Sequence, residues 1–267
     1  MHNLPLWTAV IPTYGKKGVG LTQSCLRSLQ SSTERHEIIV VDDGSGPKVQ
    51  EKLAFICEEL DAKLVTRTDN GGFAQAVNDG IEQANGQVVM LVNNDTLQIR
   101  KTLDDLANFA LFSGAAVTGC KLLYEDGSVQ HAGVCYVPAA PLGYFDHVGR
   151  FESRNAPIAC RIRRSLNTGA VLAISRTALD TVGLLDTRYG MAFEDIDYQM
   201  RVLETGFNLF YCGIIEAYHL EGQTRGRTPA EKARHQSWTK AEEKARELFF
   251  QRWEGVNFEQ FQFGARM

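Results

Sequence analysis

The chain has 267 residues, of which 44% are apolar and 22% are charged, and this composition supplies one substantial core and excludes a disordered chain. Its 28 basic and 32 acidic residues give a net charge of -4, so no overall positive field favours nucleic acid and we expect no nucleic-acid partner. No apolar run reaches the roughly 18 residues needed to cross a bilayer, and segment 1–12 lacks the features of a secretory signal. The sequence therefore predicts a cytoplasmic globular protein.

Six cysteines are scattered along the chain without a CxxC pair, at Cys25, Cys57, Cys120, Cys135, Cys160 and Cys212. Zinc clusters and redox motifs need closely spaced thiols, whereas an isolated free cysteine behaves as a small apolar side chain. We therefore expect reduced cysteines in the core, and neither a disulfide framework nor a zinc cluster.

Short β-branched runs alternate with helical patterns in the first half of the chain. Strands are predicted at 8–14, 37–43, 63–67, 87–93 and 115–124, and apolar residues at helical spacing predict helices at 49–60, 73–84 and 103–110. This alternation is typical of a parallel sheet covered by helices. The tight-turn sequence at 125–128 then indicates a hairpin, so we predict an α/β fold with a mixed, mostly parallel central sheet.

The second half of the chain is less regular. Residues 138–165 contain three prolines and little periodicity, which predicts a long loop. A helix is predicted at 194–204 with Gly206 as its stop, followed by a short strand at 209–212. A long C-terminal helix is predicted at 229–253, with Thr228 as N-cap and Pro229 in the first turn.

Polar residues follow each of the first four predicted strands, at 12–14, 42–45, 68–72 and 93–96. Ligands of open α/β sheets bind at the carboxyl ends of the strands, where these residues would meet. Asp42 and Asp43 suit hydrogen bonds to a base or ribose, and Asp95 is a hard oxygen ligand for Mg²⁺ or Mn²⁺. Any one of these motifs is also explained as a turn or cap, so the prediction depends on the ordered set.

The ordered motifs VIPTYG, VVDDGS, NGGFAQAVNDGI, MLVNNDT, GAVLAISR, FEDIDYQMRV and AYHLEG resemble those of a family 2 glycosyltransferase with the GT-A fold. They span residues 10–222 and are most similar to the rhamnosyltransferase-like branch that builds bacterial surface polysaccharides. The resemblance implies a GT-A catalytic domain at 1–224 and a C-terminal helical extension at 225–267 packed on the same domain.

The resemblance also implies roles for individual residues. Asp95 and His219 would hold Mn²⁺ or Mg²⁺, in a DxD-like triplet whose first carboxylate is an amide here. Asp195 would be the catalytic base, with Glu194 positioning the acceptor, although both carboxylates are equally explained by the positive end of a helix. The implied donor-site residues are Pro12, Thr13, Tyr14, Asp42, Asp43, Asn70, Gly71, Gly72, Asn93, Asn94 and Arg225.

Basic residues in the second half leave alternatives open. Arg225 or Arg227 could close a lid over a diphosphate, or belong to an ordinary basic loop. Arg161, Arg163 and Arg164 could face a phosphorylated or lipid-linked acceptor, or only water. The C-terminal helix could contact an anionic membrane, although packing of its aromatic residues on the domain is favoured, and its tail could dock on a second subunit.

The resemblance implies inverting transfer of a sugar from a UDP- or dTDP-sugar to a glycan or lipid-linked glycan. A catalytically silent sugar-nucleotide binding module is the main alternative, because the metal triplet is altered. A nucleotidyltransferase is a weaker alternative, since it would need a phosphate loop for which residues 15–18 give only a faint pattern.

Overall fold

The computed structural model describes residues 5–139, 142–190, 192–220 and 236–262. Its first half alternates strands and helices as the sequence predicts, and the five predicted strands begin and end within about two residues of the predicted bounds. A short additional strand at Thr96–Gln98 has no counterpart in the prediction. The elements of this half are β1 (Trp7–Thr13), α1 (Gly15–Leu29), β2 (His36–Asp42), α2 (Pro47–Glu59), β3 (Lys63–Thr66), α3 (Phe73–Ile81), β4 (Val88–Val92), β5 (Thr96–Gln98), α4 (Thr102–Ser113) and β6 (Val117–Leu123).

The second half contains more short strands than the sequence indicates. Its elements are β7 (Val129–His131), β8 (Val134–Val137), β9 (Tyr144–His147), β10 (Ile162–Arg164), β11 (Val171–Ser175), α5 (Arg176–Val182), α6 (Glu194–Glu204), β12 (Leu209–His219) and α7 (Gln236–Arg252).

Ten strands form one mixed sheet in the order β10-β12-β6-β11-β4-β1-β2-β3, with β5 beside β12 and β7 beside β6. The pairs β4-β1-β2-β3 are parallel, and β11 runs antiparallel to both of its neighbours. Alternate residues of each central strand face opposite sides, since side chains alternate along a strand. Val10 and Leu91 pack with α3 and α6 on one face, and Ile11 and Met90 pack with α1 and α4 on the other. The sheet flanked by helices confirms the predicted fold class.

Helix α1 is absent from the sequence prediction because its glycines lower helix propensity. Gly18 lies on the buried face, where a Cβ atom would collide with the Thr13 hydroxyl. Residues 15–18 therefore form the first turn of a packed helix, and the structure gives no phosphate loop there.

Three further expectations need correction. The predicted loop at 138–165 contains β9 and β10, which are short and lack the polar-apolar alternation that marks a longer strand. The predicted strand at 209–212 extends to His219, with a register shift between Cys212 and Glu216 that breaks the pattern into two. Cys160 is exposed and Cys135 half-buried, while the other four cysteines are buried; all six are free thiols.

The C-terminal helix packs on the same core as the sheet. Ala245, Phe249 and Trp253 belong to the cluster that contains Val10 and Leu91, as the favoured reading of its aromatic residues predicts. The start of the predicted helix at 229–235, its cap at Thr228 and the domain boundary at 224–225 lie outside the described residues. In the described ranges no helix is long and apolar enough to span a bilayer.

A buried carboxylate joins α7 to α6. Asp197 is fully buried and accepts hydrogen bonds from Tyr189 Oη at 2.9 Å, Trp253 Nε1 at 3.0 Å and Arg201 Nε at 3.0 Å. Arg252 Nε lies 3.1 Å from the same carboxylate, and its Nη1 also pairs with Asp186. Hydrogen bonds from Arg188, with the charge of Arg252, lower the pKa of Asp186 to about 2.

The substitution Asp197→Asn should lower the free energy of unfolding by about 1 to 3 kcal/mol, because it replaces one oxygen of a fully buried carboxylate, which accepts hydrogen bonds from Tyr189 and Trp253, by an NH₂ group that cannot accept them. Urea unfolding followed by tryptophan fluorescence measures this loss. Asp180→Asn, at an exposed site on α5, is the matched control and should change stability little. Equal stability of the two variants would contradict the role of Asp197 as the anchor of α7.

Candidate active site

The carboxyl ends of the parallel strands bring the predicted donor-site segments side by side. Thr13 at the end of β1 pairs with Asp42 at the end of β2, and Asp42 pairs in turn with Thr66 on β3. Asn93 follows β4 at the same edge. The strand register therefore aligns four polar segments that are distant in sequence.

Asp42 is fully buried at this edge. Its Oδ2 accepts hydrogen bonds from the Ser45 backbone amide at 3.1 Å and from Gln50 Nε2 at 3.0 Å. Its Oδ1 is buried and meets no hydrogen-bond donor among the described residues. A buried acceptor without a donor is costly, so this oxygen is a candidate for a donor group on a ligand.

Asp43 holds the turn at residues 70–72. Its two oxygens accept hydrogen bonds from the amides of Gly71 at 2.8 Å and Gly72 at 2.9 Å, and Arg67 Nε lies 2.9 Å away. Burial raises the pKa of Asp43 even though these three partners oppose the shift. Gly72 has a φ of +85°, and a Cβ there would lie 2.9 Å from the Gly190 carbonyl oxygen. Asp43 is thus committed to the turn, whereas Asn70 beside it is exposed.

Tyr14 lines an open pocket at the starts of α1 and α2. Pro12 and Thr13 are buried, while Tyr14 is 58% exposed. The pocket has a volume of about 500 Å³ and its lining includes Tyr14, Lys16, Ser45 and Lys48. The first predicted donor motif thus contributes one accessible aromatic ring.

The Asn93–Asp95 triplet is held by contacts on two sides. The backbone amide of Asn93 donates to the Ala170 carbonyl at 2.8 Å. The side-chain oxygen of Asn93, Oδ1, is buried and has no hydrogen-bond partner in the described part of the chain. Asn94 Nδ2 donates to Thr13 Oγ1 at 3.0 Å, which fastens the triplet to the turn that precedes α1.

Asp95 and His219, the two residues that the resemblance implies as metal ligands, are in direct contact. His219 pairs with Thr96 where β12 runs antiparallel to β5, and the Leu220 amide donates to the Asp95 carbonyl at 2.9 Å. His219 Nε2 lies 3.2 Å from Asp95 Oδ1, with side-chain exposures of 12% and 13%. The backbone register, independently of the side chains, therefore sets this contact.

These two side chains fit a divalent cation. Neighbouring ligands on an octahedral ion with bonds of about 2.1 Å lie about 3 Å apart, close to the 3.2 Å between Nε2 and Oδ1. The described residues contain no cluster of three or more His, Cys, Asp or Glu side chains that could hold a metal. Mg²⁺ and similar ions keep several waters and bind through one or two carboxylates plus substrate phosphates, so a two-ligand protein site is sufficient.

Asp195 lies in the first turn of α6 with both oxygens oriented by the backbone. Oδ2 accepts from the Gly169 amide at 2.7 Å, and Oδ1 accepts from the Ile196 amide at 2.8 Å. Gln199, one turn later, exchanges hydrogen bonds with the backbone of Asn167. Glu194 precedes Asp195 and is 6% exposed.

The backbone before α6 has an uncommon conformation. Ala192 and Phe193 have φ values of +69°, and for a bulky side chain this left-handed region is strained. The Phe193 ring packs 5.1 Å from Phe249 and 6.4 Å from Phe145, measured between ring centroids. Aromatic contacts from β9 and α7 therefore hold the strained turn that aims Glu194 and Asp195.

One dipeptide links the two halves of the site. The Gly169 amide binds the Asp195 carboxylate and the neighbouring Ala170 carbonyl binds the Asn93 amide. The Asp195 carboxylate and the Asn93–Asp95 triplet are thus attached to two consecutive residues, Gly169 and Ala170. Sequence reasoning did not identify Gly169 or Gln199 as supporting residues, although Gln199 stands four residues after Asp195, the spacing that places both on one helix face.

Two predicted groups of basic residues have different outcomes. Arg225, and the lid proposed with Arg227, lie outside the described residues. Arg163 donates to the Ile158 carbonyl at 2.8 Å and lies over the Tyr211 ring, so its role is structural. Arg161 and Arg164 are exposed.

Comparisons with known proteins agree with this geometry. The chain is 30% identical over 246 residues to an uncharacterised protein, y4gI, of Sinorhizobium fredii, covering 88% of this chain and 27% of that protein. It is 26% identical over 217 residues to the O-antigen biosynthesis protein RfbC of Myxococcus xanthus, covering 77% of this chain and 16% of RfbC. The chain therefore spans less than a third of either relative.

A solved structure supports the fold. The mannosyltransferase PcManGT of Pyrobaculum calidifontis, in complex with GDP-Man and Mn²⁺, superposes with a TM-score of 0.62 at 15% identity, covering 97% of this chain and 78% of that protein. The family model described as glycosyl transferase family 2 matches residues 8–175, more than half of the sequence. With a mixed sheet that presents Asp42, Asn93 and Asp95 at one edge, the chain belongs to glycosyl transferase family 2 and has the GT-A fold.

Proposed function

We propose that the protein transfers a sugar from a UDP- or dTDP-sugar to a glycan or lipid-linked glycan, with inversion at the anomeric carbon, in bacterial surface polysaccharide synthesis. Family membership supports glycosyl transfer, and the description of RfbC supports the pathway class. The observation that carries the proposal is the contact of Asp95 with His219 beside the dipeptide that holds Asp195. This arrangement would supply the ligands of a cation and a carboxylate base at one edge of the sheet.

The donor would bind over the ends of β1, β2 and β4. Asp42 Oδ1, which lacks a donor among the described residues, would accept the N–H of a pyrimidine base after a small movement of the loops that cover it. Pro12, Thr13 and Tyr14 would border the nucleoside. Asn70, Gly71 and Gly72 would lie against the nucleotide and sugar, where glycine allows close backbone approach. Asp43 supports this turn, and Asn93, Asn94 and Arg225 would lie near the diphosphate.

Asp95 and His219 would hold Mn²⁺ or Mg²⁺ against the diphosphate. A bound divalent ion acts as a Lewis acid that stabilises charge on the leaving phosphate oxygens. The protein's contribution is a fixed pair of ligands and a site for the diphosphate, which supplies the negative charge that the Asn93–Asp95 triplet lacks.

Asp195 would act as the general base. Its two backbone hydrogen bonds fix its orientation, and a carboxylate has about four acceptor sites, so it retains capacity for an acceptor hydroxyl. The hydroxyl proton passes to Asp195 as its oxygen bonds to the anomeric carbon, and the bond from that carbon to the diphosphate oxygen breaks on the opposite face. Glu194 would position the acceptor. The product is therefore inverted, and the nucleoside diphosphate leaves.

Asp195→Asn should lower kcat by about 100- to 10,000-fold, the usual contribution of a general base, and leave donor affinity nearly unchanged.

Gly169→Ala should lower kcat by up to about 100-fold through misplacement of the base, since its Cβ would lie 3.1 Å from Asp195 Cβ. Turnover of a panel of UDP- and dTDP-sugars measures kcat, and calorimetry of UDP and dTDP binding measures nucleotide affinity.

Asp180→Asn is the matched control for these variants and should retain wild-type turnover. A wild-type protein that binds nucleotide but turns over no donor in the panel, with or without an acceptor, would instead favour the catalytically silent binding module.

Metal removal should abolish turnover, and Mn²⁺ or Mg²⁺ should restore it. Because the protein offers one carboxylate and one imidazole, the ion and the diphosphate should each raise the other's affinity by at least about 5-fold, within the usual range of coupling between sites. Titrations of UDP with and without Mn²⁺ measure this coupling. His219→Ala should remove most of it, whereas His36→Ala, at the amino end of β2, should not. Equal UDP affinity with and without Mn²⁺ would contradict the metal site.

A further inference from the structure

A buried glutamine holds the imidazole of His219 from behind. Gln130 is fully buried on β7, and its side chain contacts both the main chain and the ring of His219. Gln130 Nε2 lies 3.1 Å from the His219 carbonyl oxygen, and Gln130 Oε1 lies 2.7 Å from His219 Nδ1. Strands β7 and β12 pair with opposite edges of the carboxyl half of β6. The contact between Gln130 and His219 therefore joins the two strands that lie on either side of β6.

The two contacts together fix where the imidazole carries its proton. A carbonyl oxygen can only accept, so the glutamine NH₂ group must be the end that faces the His219 main chain. The other end is then the amide oxygen, which also only accepts, and His219 Nδ1 must donate to it. The Nδ1 proton is thereby committed to Gln130, and Nε2 is the ring nitrogen that is left to bind a cation in the neutral imidazole.

Nε2 lies on the side of the ring that faces Asp95. Asp95 Oδ1 is 3.2 Å from it, and both side chains have low exposure to water. This separation suits two neighbouring ligands on one cation. Histidine ligands usually donate their second ring N–H to an oxygen that fixes the tautomer and the ring orientation.

We propose that Gln130 is a positioning residue that locks His219 in the Nδ1–H tautomer and aims its Nε2 lone pair into the metal site. The inference rests on the proposed function for the identity of the cation. It adds a residue that no motif of the sequence singled out and that is fully buried behind the imidazole.

Gln130→Leu tests the proposal because leucine has nearly the same size and no hydrogen-bonding groups. It should weaken Mn²⁺ binding, measured by the electron paramagnetic resonance signal of free Mn²⁺ with and without UDP, by about 10- to 100-fold. In a His219→Ala background the same substitution should produce no further loss. Additive losses would indicate general destabilisation and overturn the proposal.

Nitrogen NMR of the imidazole rings gives a second readout that requires neither metal nor substrate. In ¹⁵N-histidine-labelled, metal-free protein at a pH where the imidazole is neutral, the signals that disappear in His219→Ala should show a protonated Nδ1 and an unprotonated Nε2. Gln130→Leu should shift neutral His219 towards a mixture of tautomers. A neutral wild-type His219 that carries its proton on Nε2 would overturn the proposal, even if the Gln130 variant fails to fold.

Gln199→Leu is the matched control. Gln199 is equally buried and, like Gln130, forms hydrogen bonds through both ends of its side-chain amide, in this case with the backbone amide and carbonyl of Asn167 on the side of Asp195. It should lower stability and leave the His219 tautomer and Mn²⁺ affinity unchanged. A protein that binds Mn²⁺ with the expected tautomer but transfers no sugar contradicts the proposed function alone, whereas wild-type protein without Mn²⁺ affinity overturns this inference.

Discussion

The site depends on the antiparallel pairing of β12 with β5. This pairing places His219 opposite Thr96 and lets the Leu220 amide bind the Asp95 carbonyl, so the main chain brings two distant parts of the sequence to one point. The two side chains then bring Nε2 and Oδ1 within 3.2 Å. A contact determined by the backbone costs little additional side-chain entropy, which suits the proposed pair of metal ligands.

The second requirement is the direction of α6. Its first turn follows two residues with φ of +69°, a conformation that persists only where surrounding contacts outweigh its cost. Those contacts are the Phe193 ring in the aromatic cluster and the buried Asp197, which accepts from Trp253 and pairs with Arg252. The C-terminal helix thus stabilises the backbone that orients Asp195, although it contributes no side chain to the proposed chemistry.

Local sequence signals predict the donor side of this protein better than the rest. Strands β1 to β4 and the segments after them are recognisable because buried parallel strands are continuous apolar runs ending in polar turns. Helix α1 escapes prediction because it contains three glycines, of which Gly18 is required by close packing against Thr13. Strand β12 escapes prediction because a register shift interrupts its pattern. No local pattern in the sequence marks Gln130, because its proposed role depends on a contact with His219, which lies 89 positions away in the sequence. Asp195 and His219 also lie beyond the residues matched by the family model, and their prediction depended on the motifs as an ordered set.

The molecule has two parts that differ in how much change of sequence they tolerate. The donor side is built from consecutive strand ends whose register allows little change, because a shift of one residue would turn every side chain to the other face of the sheet. The other part is built from β8, β9 and α7, which meet through the rings of Tyr136, Phe145, Phe249 and Phe250. Apolar contacts of this kind are non-directional and tolerate volume-conserving substitutions. Residues around the aromatic cluster can therefore vary while the polar contacts of Asp95, His219 and Asp195 are maintained.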